Sequence, residues 1–569
     1  MLRLAGIALL VVLAAGCGPA DEVDTVLRGA LVYDGSGSAA QRADVAIDDG
    51  VVVAIGSVNG LSGKREVDLD GLAVAPGFVD IHSHADLILL AEEEQRASLL
   101  EAKIRQGVTT IVVGNCGLGP APTNGAAAEI LGGVNAWMTP EGVAAGPMTT
   151  GDYLDRLETG GVPLNVATLV PHGPLRISAM GLEPGTPDED QAAAIESALR
   201  ESLDAGGFGL STGLIYPPGM YSDTDELTSL ARIVAERDGL FTAHVRGSSE
   251  TLQDATDELI EVSRATNVRT HHSHLEAVGE SFWPGIETIL AAEDGARAAG
   301  LTISHDVFPY TRAATMMSAI FPPWSLEGGV PALLERLEDP DARERIRNEL
   351  ETRAPEWPPW QPGGWPHNLV GAVGWDGICV ASVGPDGPAH YVGRDLQSIG
   401  KEERRDPFDV VADLMLSERG QVGQLVGEIS GSDDLLRILK HPAAAVISDA
   451  EDYGRGVPHP AHAGAFPRAL RLNREHALMP DGEMIRRMTA YPASIVGLTG
   501  VGRLEVGDVA DLVVFDPATV ADEADWGSPR SHASGVEGVM IGGQWVVREG
   551  DYLPGSNGRV LRSGGTASR

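Results

Sequence analysis

Between about residues 76 and 490, short apolar or β-branched runs alternate with stretches of helical spacing. The runs lie at about 78–82, 108–113, 165–170, 208–212, 240–244, 268–274, 301–306 and 443–448. Residues 92–105, 188–205, 224–237, 251–265 and 285–299 carry the helical patterns between them. Eight strands with mostly helical crossovers predict an α/β fold, a (β/α)8 TIM-like barrel over 76–490. Such a barrel needs only about 250 residues. The surplus falls near 320–400, between the seventh and eighth runs, where Trp357 to Trp365 is rich in Pro and Gly. A lid or substrate-shaping insertion is expected there.

Two β-rich patches flank this alternation. Val26–Gly35, Ala43–Ile47 and Val51–Gly56 stand near the start, and Ala510–Asp516 and Val539–Val547 near the end. Neither patch alone can bury a sheet. The segments 24–75 and 491–555 are therefore expected to pair into one small β-sandwich domain, with the barrel inserted between them. Ahead of both, Met1-Leu2-Arg3 carries one positive charge and is followed by an apolar run from Leu4 to Ala15. That run is too short to span a bilayer and has the layout of an export signal. Leu13 to Cys17 resembles a bacterial lipobox, so residues 1–17 are expected to be a lipoprotein-type signal with Cys17 lipidated. The protein would then be exported, periplasmic or anchored to the membrane through that lipid alone.

The 569 residues are 43% hydrophobic and 22% charged, the balance of a globular protein with a core. Asp plus Glu number 81 against 42 Lys plus Arg, a net charge of −39 that argues against nucleic-acid partners. Cys17, Cys116 and Cys379 are too few for a disulfide framework. The only lysines are Lys64, Lys103, Lys401 and Lys440.

Barrel enzymes carry their chemistry at the C-terminal strand ends. Here those ends supply His82 and His84 after Asp80, Cys116 between Asn115 and Gly117, His172, His244, His274 and Asp449. Residues two apart on a strand share a face, which would point His82 and His84 into the barrel mouth. By the same alternation His272 shares a face with His274 but lies deeper, and His271 points away; His274 is the preferred ligand. A lone histidine at a strand end is commonly a hydrogen-bonded core residue, and Cys379, flanked by apolar residues, reads as merely buried. Six strand ends each supplying His, Cys or Asp point instead to a metal-dependent hydrolase. One or two Zn²⁺ ions would leave a coordination position for water, and Asp449 would move the proton.

The segment Pro76 to His84 resembles the strand-one signature of the amidohydrolase superfamily. Gln106–Gly117, Gly209–Gly219 and Asp306–Thr311 narrow the resemblance to the N-acyl-D-amino-acid deacylases (D-aminoacylases), and Gly507–Pro517 is similar to the superfamily's closing β segment. The resemblance spans residues 24 to 550. It implies that Cys116, His244 and His274 hold the tighter zinc and that His82 and His84 hold a second position, with Cys116 bridging. It further implies Asp449 as general acid/base, with His172 and Tyr216 lining the pocket. Many superfamily relatives bridge their metals with a carboxylated lysine; no lysine of this chain lies at a predicted metal-bearing strand end, which favours the thiolate.

Two positions depart from the family pattern. Ser273-His274-Leu275-Glu276 stands where the family has Ser-His-x-Lys, and His459-Pro460-Ala461 where it has His-Pro-Arg. The missing cations are associated in the family with the substrate carboxylate, each contact contributing about 1.5–3 kcal/mol. Arg312 or Arg468 is expected to substitute, or the substrate to lack that carboxylate. The resulting expectation is a zinc-dependent hydrolase of a linear amide bond, an N-acyl-D-amino acid or a related peptide-like small molecule. The rivals are a cyclic-amide hydrolase or deaminase of the same superfamily, and a lipoprotein that binds a ligand without turnover.

Overall fold

A computed structural model describes residues 21–361 and 363–564. Cys17 and the expected signal segment lie outside the described residues. The strands near the two ends of the chain pair into one nine-stranded sheet. Asp21–Val32 runs antiparallel to Gln41–Asp48, which pairs with Val51–Gly56, while Ala73–Pro76 joins Leu512–Phe515 and so links the two ends. Val536–Ile541, Gln544–Arg548 and Asp551–Tyr552 complete it. Three members were not expected from the sequence: the short Ala73–Pro76 and Asp551–Tyr552, and Leu61–Asp68, which lies parallel to Asp21–Val32. In Leu61–Asp68 no apolar pattern announces the strand: Lys64, Arg65 and Glu66 are exposed, and its pairing partner makes it a strand.

The middle of the chain forms parallel sheets. One has six strands in the order Ala444–Val446, Ile303–Val307, Arg269–His272, Leu240–His244, Gly209–Gly213 and Val170–Pro171. The other has Phe78–Asp80, Val108–Val113 and Asn165–Thr168. Val108–Val113, Gly209–Gly213, Leu240–His244 and Ile303–Val307 are buried along their whole length, as expected of parallel strands covered by helices. The helices begin where local chemistry predicts. Asp188 caps Glu189–Asp204 in a reciprocal capping box with Gln191, and Asp223 caps Thr224–Ala235.

Between Ile303–Val307 and Ala444–Val446 the chain is more ordered than the sequence suggested. The described residues of Trp357 to Trp365 lack helix, but the region also contains a three-stranded antiparallel sheet of Ala313–Met316, Gly423–Val426 and Ile378–Ser382. Helices Gly329–Glu338, Pro340–Thr352 and Pro407–Ser417 accompany it. Cys379, half-buried in one of these strands, has no partner thiol among the described residues.

Phe78–Asp80 and the segment after Ala444–Val446 are joined by side chains. Asp80 accepts from the Ser448 N–H (3.1 Å) and hydroxyl (2.6 Å), and the Asp449 N–H donates to the His82 carbonyl (3.1 Å). Lys103, on helix Glu93–Arg105, is 1% exposed. It donates to Asp80 (3.1 Å), Glu451 (2.7 Å), the Ser448 hydroxyl (2.7 Å) and the Ala450 carbonyl (3.0 Å). Burial opposes its charge, but Glu451 and Asp80 hold its pKa above the usual lysine value. Lys103 thus has a structural occupation. Replacing it with Met would leave two buried carboxylates without their cation. We expect K103M to lose about 3–5 kcal/mol of unfolding free energy, read as a lower denaturant midpoint with an unchanged slope.

Candidate metal centre

Three of the residues singled out at strand ends share an uncommon backbone. Cys116 (φ 51°), His274 (φ 35°) and Asp449 (φ 45°) all adopt left-handed conformations just beyond their strands. Each such turn costs about 1–3 kcal/mol in a non-glycine residue and persists only where its surroundings impose it. At His274 the N–H is held by Asp306, and the Leu275 N–H by the Asp306 carbonyl (3.0 Å). At Cys116 the approach of strand Gly209–Gly213 is possible only because Gly213 has no side chain: a Cβ there would lie 1.9 Å from the Cys116 carbonyl oxygen. These turns swing side chains toward one point.

The convergence is tight. Cys116 Sγ lies 3.2 Å from His82 Nε2, 3.6 Å from His274 Nε2 and 3.8 Å from His244 Nδ1. Asp449 lies 3.4 Å from Nε2 of both His82 and His84. Ligand atoms of His82, Cys116 and His274 fall within 4.8 Å of one another, and so do those of His82, His84 and Asp449. The five expected metal ligands and the expected acid/base therefore meet, with His82 belonging to both groups. With Zn–S near 2.3 Å and Zn–N near 2.0–2.1 Å, tetrahedral coordination separates sulfur from nitrogen by about 3.5 Å. The spacing and the thiol-plus-imidazole chemistry both fit zinc.

Burial alone would raise the Cys116 pKa, but His82 and the hydrogen bonds from His244, His274 and His82 hold it well below the ordinary thiol value. Asp449 is likewise held low against its burial, chiefly by His82 and His84. Burial and the neighbouring His274 lower His244 to about 4, leaving it a neutral imidazole. Against their burial, Asp449 raises His82, Asp449 and Cys116 raise His84 to about 10, and Cys116 raises His274 to about 9. These three imidazoles must release protons to ligate a cation, whereas the thiolate, the carboxylate and the neutral His244 are already in ligating form.

The other expected site residues divide. Tyr216 lines the cavity with its ring 5.1 Å from that of His244, and its hydroxyl pairs with Thr315 (2.8 Å). His172 is placed elsewhere: fully buried at the start of helix His172–Met180, its Nε2 is on Glu226 (2.8 Å) and it does not line the cavity. Arg312 is turned outward, its guanidinium 5.1 Å above the Trp526 ring, and borders a separate hollow with Cys379 and Glu428. Arg468 is bound to Asp522 and the Pro309 carbonyl. Neither arginine replaces the missing cations in the cavity. The expected facing of His271 and His272 is also reversed. His271 donates to Asp306 (2.8 Å) beneath the metal ligands, and His272 points to Glu293 (3.0 Å). Strand alternation stops at His272, and the left-handed turn at His274 carries that side chain to a direction alternation does not predict.

Asp306, His367, Trp137 and Thr315 were not expected from the sequence. Asp306 ends a strand, a signal of the kind used for Asp449; Trp137, Thr315 and His367, which line the cavity from outside those strand ends, had none. Glu276 also lines it, with its carboxyl raised to about 7 by burial, against the opposing charge of His274.

Asp306 touches two proposed ligands and no cavity, so its removal tests positioning. We expect D306A to fold and to weaken zinc affinity by about 10–100-fold, measured by competition with a chromophoric chelator.

The amidohydrolase family model matches residues 65–343 and 394–547. The N-acyl-D-glutamate deacylase of Alcaligenes xylosoxydans xylosoxydans is 32% identical over 550 residues, covering 95% of this chain and 97% of that protein. The crystal structure of N-acyl-D-glutamate deacylase from Bordetella bronchiseptica, complexed with zinc and a phosphonate mimic of the tetrahedral intermediate, superposes with a TM-score of 0.76 at 31% identity. It covers 95% of this chain and 100% of that one. A D-aminoacylase structure with a binuclear metal centre gives a TM-score of 0.77 at 28% identity, with coverage of 95% and 100%. A thiol and imidazoles gathered beside an acid, in a chain matched almost end to end by these proteins, place it in the amidohydrolase family, among the N-acyl-D-amino-acid deacylases.

Proposed function

We propose that the protein is a zinc-dependent hydrolase of a linear, non-peptide amide bond, an N-acyl-D-amino acid or a related amide, yielding a carboxylic acid and an amine. The observation that carries this reading is Asp449, 3.4 Å from His82 and His84 beside a thiol that three histidines surround. Cys116, His244 and His274 would hold one zinc, and His82 and His84 a second, with Cys116 shared. Bound zinc supplies Lewis acidity to the scissile carbonyl and to water. Asp449, held in its ionised form, accepts the proton of the attacking water and delivers it to the departing nitrogen. The C–O bond forms first and the C–N bond breaks as the nitrogen takes up the proton, so the acyl half gains hydroxyl and the amine half gains hydrogen. Tyr216 offers its hydroxyl to the substrate from the cavity wall.

The same reading takes the parallel sheets as one (β/α)8 barrel over 76–490. It is supported by the near-continuity of Asn165–Thr168 with Val170–Pro171 and by the Asp80, Ser448 and Lys103 bonds where the first and last strands meet. The shared sheet of segments 24–75 and 491–555 supports the reading of these as one small β domain. Export with a lipid on Cys17 rests on the apolar run and lipobox-like residues. It is tested by the mass of the N-terminal peptide from the membrane fraction.

Purified zinc-loaded protein is expected to release acid from N-acyl-D-amino acids or their derivatives in preference to the L forms. D449A is expected to lower kcat by about 10²–10⁴-fold at unchanged zinc content; equal turnover by that variant would refute the assignment. Chelation should abolish turnover and added zinc restore it.

A further inference from the structure

The cavity that gathers these residues has an uncommon charge pattern. Among the described residues no lysine or arginine lines it, and its wall carries two carboxylates, Asp449 and Glu276. Asp449 is engaged with His82 and His84. Glu276 is not comparably engaged. Its Oε1 stands 3.9 Å from His274 Nδ1, beyond hydrogen-bond reach, and its buried Oε2 has no partner at all. The side chain is only 11% exposed. Among the other polar groups on the wall, Tyr216 pairs with Thr315 (2.8 Å) and His367 with Ser249 (3.0 Å). Trp137 Nε1 and His84 Nδ1 also lack partners, but Glu276 Oε2 is the unpartnered carboxylate oxygen. A buried acceptor is costly to leave unpaired. A free oxygen on the wall of a ligand cavity therefore marks where a ligand brings its own donor.

The same arrangement opposes an anion. A carboxylate entering beside Glu276 would meet like charge without a compensating guanidinium or ammonium, because Arg312 lies over Trp526 and Arg468 is held by Asp522. We propose that Glu276 determines specificity. The amine half of the substrate presents a nitrogen donor, a carboxamide N–H or an ammonium, to the Glu276 carboxyl, and a free carboxylate at that position is disfavoured. This rests on the amide-hydrolase reading and narrows it to N-acyl amides whose amine half is neutral or cationic.

The test holds the acyl group constant. Zinc-loaded full-length protein is assayed for acetate release from N-acetyl-D-leucine, from N-acetyl-D-leucinamide, and from the matching N-acetyl diamine with aminomethyl in place of the carboxylate. We expect kcat/KM on at least one nitrogen-bearing compound to exceed that on the acid by about tenfold or more, with the difference mainly in KM. The two arms separate an amide donor from an ammonium. E276Q should erase an advantage of the diamine while sparing that of the carboxamide, and E276K should reverse the order in favour of the acid. Zinc content and calorimetric binding of leucinamide and leucine, measured on the same variants, separate recognition from damage to His274. A wild-type preference for the acid overturns the proposal, as does a substrate ratio that neither E276Q nor E276K changes. Acetate release from none of the three refutes amide hydrolysis itself, and the inference falls with it.

Discussion

One buried carboxylate, Asp306, orients two of the proposed ligands at once. Asp306 accepts the His274 N–H on one oxygen, and on the other the ring N–H groups of His82 (3.3 Å) and His271 (2.8 Å). Burial works against its ionisation, but His271 and His82 hold its pKa far below the usual carboxylate range. Because Nδ1 of His82 is occupied by Asp306, Nε2 is the nitrogen left to face Cys116 at 3.2 Å. The same carboxylate fixes the left-handed turn that brings His274 to the thiol. Two ligands from opposite parts of the chain are thus set by one acid that never reaches the cavity.

A second buried cluster does for the strands what Asp306 does for the ligands. Lys103 compensates Asp80 and Glu451, and Asp80 grips Ser448. Asp449 is the next residue, so the acid that would move the proton is anchored to strand Phe78–Asp80 through its neighbour's hydrogen bonds and its own N–H to the His82 carbonyl. Buried ion pairs of this kind contribute little net stability compared with apolar packing. Their value here is positional: the proposed base and two of the proposed ligands rise from the same pair of strand ends.

Much of this was legible in the chain itself. Polar caps such as Asp188 with Gln191 announced helices, and continuous apolar runs such as Val108–Val113 announced buried strands. The His82–His84 spacing and a cysteine beside glycine at a strand end carried enough chemistry to point to a metal centre, while the ligand assignment came from the family resemblance. The failures share a cause. Leu61–Asp68 is a strand because of its partner, His271 faces inward because Asp306 lies there, and Arg312 faces outward onto an indole from a distant segment. Each depends on a contact with a residue far away in the chain.

Sequence by itself determined the alternation of strands and helices, the family, and the identities of the sulfur, nitrogen and oxygen donors, because these follow from local periodicity and from side-chain chemistry. Tertiary structure decided which way each of those side chains points. It turned Cys116, His274 and Asp449 through left-handed backbone to a common point, withdrew His172 and Arg312 from the cavity, and left one oxygen of Glu276 without a partner. Direction is set by packing and hydrogen bonds between segments tens to hundreds of residues apart, and periodicity along a single strand carries no information about them.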